Sequence, residues 1–489
     1  MLISAKLKEN EKILKEAFNN CGDIIIRPFK AGTDKDIDML LVYIDNIVNT
    51  GVIQESILTN LMVRTHAKCG EHILDKLYSE AISVGEMSFE SDFEKLCTSI
   101  LLGDTVLFAD GESKALIAST KGWPSRGVPE AKTEVVVKGP KDAFAETLSQ
   151  NIVLVRRRIR DTSLKVVRSR IGRRSQTDVA VMYMEGIVRN DVLNTVKQRL
   201  KNIDVDAIID AGYIEQMTER KWWSPFPQVQ MTERPDKAAA ALFEGRIVVV
   251  VDNSPMVLML PTTLNTFFQA AEDYYDRWEI MSFVRIIRYI AAFIAISLPG
   301  LYVAMTLYNP NLLPVELVLK IAGSRIDVPL STATEMIVME IAFELLREAG
   351  VRLPSPIGST LGIVGGIVIG QAAVDAGLIG PMVVIVSAVT CICSFVIPNQ
   401  GMVNGIRLSK YIVLALSACL GLFGFWAGLI VILIHLCSIE SFGVPYMYPY
   451  CSAAENGFDD LKDSVIRLPL FMLKKRPIFA TPKQRIRRG

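Results

Sequence analysis

Apolar residues are spaced in two different ways along this chain, and the change comes near residue 280. Before it, short β-branched and aliphatic runs alternate with stretches whose apolar positions recur every three or four residues, the periods of strands and amphipathic helices. Strands are predicted at 24–29, 39–44, 105–109, 115–119 and 134–137, with helices at 46–62, 71–80, 90–102 and 143–159. Asp110-Gly111 and the prolines within 122–130 supply turns. A second set follows, with strands at 164–171, 178–184, 246–252 and 256–260 and helices at 191–200 and 237–244. The unbroken valines of 246–252 read as a strand covered on both faces. Two α/β lobes are therefore expected, 1–159 and 160–280.

Beyond residue 280 the apolar runs lengthen. The stretches 286–308, 357–374, 381–398 and 411–435 carry a single Lys or Arg between them, Arg288, and no acid. Each is long enough to cross a hydrocarbon core of about 30 Å, and in lipid each must be helical to satisfy its own backbone. The expected fold class is an α/β cytosolic region of two lobes followed by an α-helical polytopic membrane domain at 281–450, with about four spans and a basic cytosolic tail at 451–489. The segment 309–356 is mixed. Its Glu340, Glu344 and Glu348 repeat every four residues and share a helical face. They fit an amphipathic or re-entrant helix with its acids in water, or the cation-attracting mouth of a pore. Arg285 and Arg288 before the first span, with the basic tail, place both ends on the cytoplasmic side.

Composition agrees with two unlike halves. Of 489 residues, 50% are hydrophobic and 21% charged, and the mean hydropathy is +0.32, between the values for a soluble enzyme and an embedded transporter. A net charge of +1 argues against a dedicated nucleic-acid binder. The basic stretch 156–174 lacks interleaved aromatics, so it reads as an interdomain face or a contact for anionic lipid or a partner. The eight cysteines form no CxxC pair, as expected of reduced, packing thiols. His66, Cys69 and His72 share a helical spacing but lack a fourth ligand, so no metal site is expected. GxxxxGK[ST], HExxH and GxSxG are all missing, and neither catalysis nor a cofactor is expected.

Within 357–374, Gly358, Gly362, Gly365, Gly366 and Gly370 recur every three or four residues. A small-residue face lets helices approach closely, which is one reading. In the other, this helix repeats around a symmetry axis, and Thr360, Val364, Val368 and Gln371 line or constrict a lumen.

The runs SPFPQVQMTERPDKAAAALFEGRIVVVVDNSP (224–255), FFQAAEDYY (267–275) and PIGSTLGIVGGIVIGQAAVDAG (356–377) resemble the A subunits of the GerA-type spore germinant receptors. The resemblance, over roughly residues 20–470, implies a multi-pass protein of the spore inner membrane with its N-terminal domain and C-terminal tail in the cytoplasm. It implies a homo-oligomer, a pentamer, that works with a transporter-like B subunit and a lipoprotein C subunit. That assembly would sit in membrane lipid and pass monovalent cations when nutrients are sensed, with no nucleic-acid role. On this reading Asp252, Pro255, Phe267, Phe268, Glu272 and Asp273 couple the cytosolic lobes to the gate; the plainer reading is a linker. A membrane scaffold, or a stage V sporulation channel relative that amplifies ion release without sensing nutrient, is the alternative.

Overall fold

The computed structural model describes residues 2–32, 37–64, 73–122, 129–352, 370–451 and 457–487. The chain forms two compact units, one of Met1–Glu219, Val229–Pro261 and Lys474–Gly489, the other of Arg220–Gln228 and Thr262–Leu473.

The first unit builds one plan twice. Its first lobe runs α1 (Leu7–Ala17), β1 (Ile24–Ala31), β2 (Ile37–Ile44), α2 (50–64), α3 (Ile73–Glu80), β3 (Met87–Glu90), α4 (Phe93–Leu101), β4 (Thr105–Ala109) and β5 (Ala115–Ala118). The second runs α5 (Leu148–Arg156), β6 (Leu164–Ile171), β7 (Thr177–Met184), α6 (Asn190–Lys201), α7 (Ala211–Thr218), β8 (Gln230–Thr232), α8 (Pro235–Phe243), β9 (Ile247–Val251) and β10 (Val257–Leu260). The sheets have the orders β1-β2-β4-β5-β3 and β6-β7-β9-β10-β8, and every paired strand is antiparallel. Local devices repeat too. The carboxylate of Asp110, just past β4, accepts from the Leu7 amide at 3.0 Å, and Asp252, just past β9, accepts from the Leu148 amide at 2.9 Å. Each places an acid at the positive end of its lobe's first helix. Asn10 closes a ring with the backbone of Ser4, and Asn151 does the same with Ala145.

The two lobes are pinned together by a buried charge. Arg156 is inaccessible to solvent and donates Nε and Nη2 to the Asp23 carboxylate at 2.7 and 3.0 Å. Beside it the backbones of Gly22 and Val166 pair at 2.9 Å. Arg158, Arg170 and Arg173 bond Asp142, Asp178 and Asp204, so much of the basic stretch is spent on structural pairs.

Some elements differ from the pattern-based expectation. The stretch 134–137 is irregular rather than a strand. Glu134 is drawn to Lys237 and Thr232, which leaves Val135 and Val137 72% and 89% exposed. β3 and β8 are four and three residues long, too short to show a period. The helix at 50–64 is wound largely as π-helix.

The C-terminal tail completes the second lobe. In the first lobe Val48 forms a bridge with Lys121, just beyond β5; in the second, Val188 forms the matching bridge with Ala480. The Thr481 amide donates to the Ile187 carbonyl at 2.8 Å. Buried Arg246 donates to the Pro261 and Met259 carbonyls and lies over the Phe479 ring. Burial pulls its guanidinium down to about 10, which keeps it cationic at neutral pH. Gly245 has φ +90, and a Cβ there would lie 2.8 Å from the Ala480 Cα.

The second unit is a helical bundle of α9 (Leu264–Phe268), α10 (Trp278–Tyr308), α11 (Val315–Gly323), α12 (Thr332–Arg352), α13 (Pro381–Phe395) and α14 (Gln400–Cys437). α10 and α14 are long and apolar enough to cross a membrane. α14 is not one rod. Gly421 has φ 62 and ψ −140, a conformation open to glycine, and there the chain turns back on itself: Gly424 lies against Leu416, and Gly428 against Val413. Tyr308 packs on Gly421 and donates to the Ala418 carbonyl at 2.6 Å. The stretch 411–435, expected as a single span, is thus the upper part of a helical hairpin with limbs 400–420 and 422–437. α10 runs parallel to the first limb, with Gly300 by Val413 and Tyr308 by Ala418. α12 runs antiparallel to it, and α13 parallel to α12.

Two measurements follow from the first unit. Gly245→Ala would force a left-handed Cβ against the tail and should cost about 1–3 kcal/mol. Thermal unfolding should register this, and trypsin should cut earlier at Lys474–Arg476. The Glu215 carboxyl is pushed up to about 7, mainly by burial and then by Glu219 and Asp210. Its folded-state value lies above its ordinary 4.5, so its contribution to folding is fully present below that pH and is lost as pH rises through about 7. Glu215→Gln should therefore stabilise the protein at pH 8, by on the order of 2 kcal/mol, and leave its stability at pH 4 unchanged.

Candidate functional site

The residues that the sequence singles out are spread over both units. Asp252 caps α5, and Pro255 follows the turn at Asn253, whose φ is 65; both belong to the first unit. Phe267, Phe268, Glu272 and Asp273 belong to the second. Phe267 and Phe268 are buried in α9, where Phe268 stacks on Tyr289 with ring centroids 4.4 Å apart. Glu272 and Asp273 sit in the 3-10 turn Ala271–Tyr274.

Asp273 is the centre of an ionic cluster at the foot of α10. It has no solvent exposure. It accepts from Arg285 Nε at 2.7 Å, from Arg288 Nη1 at 2.8 Å and from the Ala270 amide at 3.2 Å. Arg285, also inaccessible, extends its Nη1 to Asp463 at 2.7 Å, and Tyr274 donates to the same carboxylate. Two carboxylates thus balance two guanidiniums, with Asp273, Arg285 and Arg288 buried and Asp463 at the partly exposed edge of the cluster. Sequence reasoning found Asp273 through its block and the arginines through their place before a span. It missed that they meet, because Asp463 is 178 residues from Arg285.

A second cluster lies between α12 and the first limb of α14. Glu340 and Lys410, 3% and 5% exposed in their side chains, form an ion pair. Glu344 pairs with Arg407 and with Arg347. A cavity of about 10 Å³ is lined by Glu340, Arg347, Thr390, Cys391, Ser394 and Lys410 among others, about one water in size. Glu340 Oε1 and Arg347 Nη1 have no hydrogen-bond partner. Of the three acids read as solvated or as a pore mouth, only Glu348 is exposed, and it pairs with Arg352 at 2.6 Å. Glu340 and Glu344 turn inward because cations 70 and 63 residues away neutralise them, a pairing no local period reveals. The available signal is Lys410 itself, a charge at the edge of an apolar run.

Gln371 is exposed and bonds Asp375 at 2.9 Å; Gly370 packs near Val384. Gly358, Thr360, Gly362, Val364, Gly365, Gly366 and Val368 lie outside the described residues, as do His66, Cys69 and His72. Among the described residues no group of three or more His, Cys, Asp or Glu is placed to hold a metal ion.

Comparison with known proteins gives this architecture a family. The family model described as Bacillus/Clostridium GerA spore germination protein matches residues 12–479, and the chain belongs to that family. It is 39% identical to spore germination protein KA of Bacillus subtilis (strain 168) over all of this chain and 89% of that protein. It is 37% identical to spore germination protein A1 of the same organism, over 96% of this chain and 93% of the relative. It is also 38% identical to the uncharacterized membrane protein YfkQ, over 97% and 91%. Among solved structures, the N-terminal domain of the A subunit of the Bacillus megaterium spore germinant receptor GerK3 matches at 34% identity and a TM-score of 0.42, covering 53% of this chain and 96% of that one.

The Glu340–Lys410 pair makes a stability test. Lys410→Met strands a buried carboxylate and should cost about 3–5 kcal/mol, whereas the double change Glu340→Leu with Lys410→Met should recover most of the loss. Thermal unfolding in detergent micelles measures both. A double variant as unstable as the single one would show that the acid is not stabilised by this lysine.

Proposed function

We propose that the chain is a subunit of a nutrient-responsive spore germinant receptor, assembling as a homo-pentamer into a gated channel for monovalent cations in the spore inner membrane. On this reading the two α/β lobes and the tail are cytoplasmic, and a transporter-like B subunit and a lipoprotein C subunit complete the receptor. The observation that carries the membrane reading is the charge distribution of the bundle. Its outward residues include Phe283, Phe293, Ile392, Phe395, Phe423 and Ile434, each at least 58% exposed. Its charged residues Arg285, Glu340 and Lys410 are buried in pairs. Apolar outside and paired charge inside is the arrangement a lipid solvent selects.

The pore would be lined by the stretch 357–374. α12 and α13 run in the same direction, and a helix returning between them is the role assigned to this stretch. Thr360, Val364, Val368 and Gln371 would face the axis, and the glycines from Gly358 to Gly370 would face neighbouring helices. Glu348, exposed at the end of α12, would attract cations, while the inward pairs of Glu340 and Glu344 would hold α12 against α14. Asp273 and its arginines would transmit motion at the foot of α10.

Planar-bilayer recording of the reconstituted chain, alone and with its B and C partners, tests the proposal. Val364→Ala should raise the resting conductance about tenfold or more, and Val364→Phe should abolish current, as expected of an apolar constriction. Silence under every partner and nutrient condition, with the oligomer intact, would favour a membrane scaffold.

A further inference from the structure

The segment Arg220–Gln228 lies in sequence between α7 and β8 of the second lobe, yet it belongs to the second unit. Its residues explain why. Phe226 is 2% exposed in the core of the bundle. The backbone of Pro225 and the ring of Pro227 lie against the glycines Gly405 and Gly401, on the first turns of α14. Further along, Ser224 Oγ lies 2.9 Å from His435 Nε2, Lys221 Nζ donates to Ser438 Oγ at 2.7 Å, and Arg220 pairs with Glu440 at 2.9 Å. The segment is thus fastened to the ends of both limbs of the α14 hairpin.

Two tryptophans in this fastened segment nevertheless face outward: Trp222 is 81% exposed and Trp223 60%. Trp223 lies against His435, ring centroids 4.8 Å apart, so its position is fixed. A tryptophan carries some 150–250 Å² of largely apolar surface, and two neighbouring ones left in water forgo that burial. Their surroundings point to what covers them. On the second limb, Ile430, Val431, Leu433 and Ile434 are each 52–63% exposed, and this apolar strip ends one residue before His435. Beyond it come polar Ser438 and Glu440, with Lys221 and Arg220 alongside. The tryptophans therefore sit where an apolar strip gives way to charge. That is the level at which an indole suits a bilayer best, ring toward the acyl chains and N–H toward the headgroups.

We propose that Trp222 and Trp223 form an interfacial anchor whose partner is the headgroup–acyl boundary of a glycerophospholipid bilayer, seating the open end of the α14 hairpin at that depth. The proposal rests on the membrane reading of the bundle, and the test separates the two. The full chain carrying W123F, W278F and W426F retains only these two tryptophans. It is reconstituted into phosphatidylcholine–phosphatidylglycerol vesicles with nitroxide-labelled lipids, the label near the headgroup or at the bilayer centre. A second variant, W123F/W222F/W223F/W278F, retains Trp426 alone as a reporter on the bundle, where it is 59% exposed.

The shallow label should quench the Trp222–Trp223 emission about twofold more than the deep one, and aqueous acrylamide should quench it weakly, as expected of an interfacial indole. Strong acrylamide quenching without nitroxide quenching, while Trp426 is quenched by lipid, would place the pair in water and overturn the proposal. Resistance to both quenchers would place the pair under protein and overturn it equally. Failure of lipid to quench Trp426 as well would instead bring down the membrane reading. Should a variant fail to assemble, the difference in quenching between the unaltered chain and W222F/W223F isolates the same signal.

Discussion

A single carboxylate at the foot of the longest apolar helix organises the second unit. Asp273 is sealed from solvent and shared by Arg285 and Arg288. Through Arg285 it is joined to Asp463, far along the chain. A buried guanidinium without a partner would carry a desolvation cost of several kcal/mol. The arginines can therefore lie inside the bundle only while the turn at 271–274 and the segment around Asp463 stay in place. This binds α9, the start of α10 and the chain beyond the hairpin into one piece. The Glu340–Lys410 pair does for α12 and the hairpin what Asp273 does lower down. Between them, the two clusters fix the foot of α10 and the contact of α12 with the hairpin.

The lobes were largely legible in the sequence, because β2, β4, β7 and β9 are runs of aliphatic residues with clear turns at their ends. β3 and β8 were not, since three or four residues cannot display a period. The valines of 134–137 look like a strand, but Glu134 is claimed by Lys237 and Thr232, and the side chains that would pair are left in solvent. Hydropathy also misread 411–435. It sums apolarity without regard to direction, so a chain that doubles back at Gly421 scores like one that continues. Gly424 and Gly428, which allow the limbs to touch, are the trace of the reversal.

The candidate sites divide in the same way. Phe267, Phe268 and Asp273 stood out as a block, and all three are buried where α9 meets α10. Their partners did not stand out, because ion pairs closed over separations of 12 to 178 residues leave no local pattern. The acids of α12 were read as a solvated face or a pore mouth for the same reason. A period of four reveals a face but not what the face meets, and the cations of α14 decide that Glu340 and Glu344 point inward.

The doubled plan of the first unit has one asymmetry with a consequence for how the molecule is made. In the first lobe the stretch that bridges Val48 follows β5 directly, so that lobe is complete as soon as β5 and Lys121 have been translated. In the second lobe the equivalent place is taken by Ala480, which follows the whole helical bundle in sequence. Everything from Thr262 to Leu473 is translated between β10 and the tail that closes its lobe. A ribosome must therefore release the whole bundle before the second lobe can finish folding. Completion of the second lobe thus reports that the bundle between β10 and Ala480 has been translated, and a product cut short within the bundle carries an open second lobe.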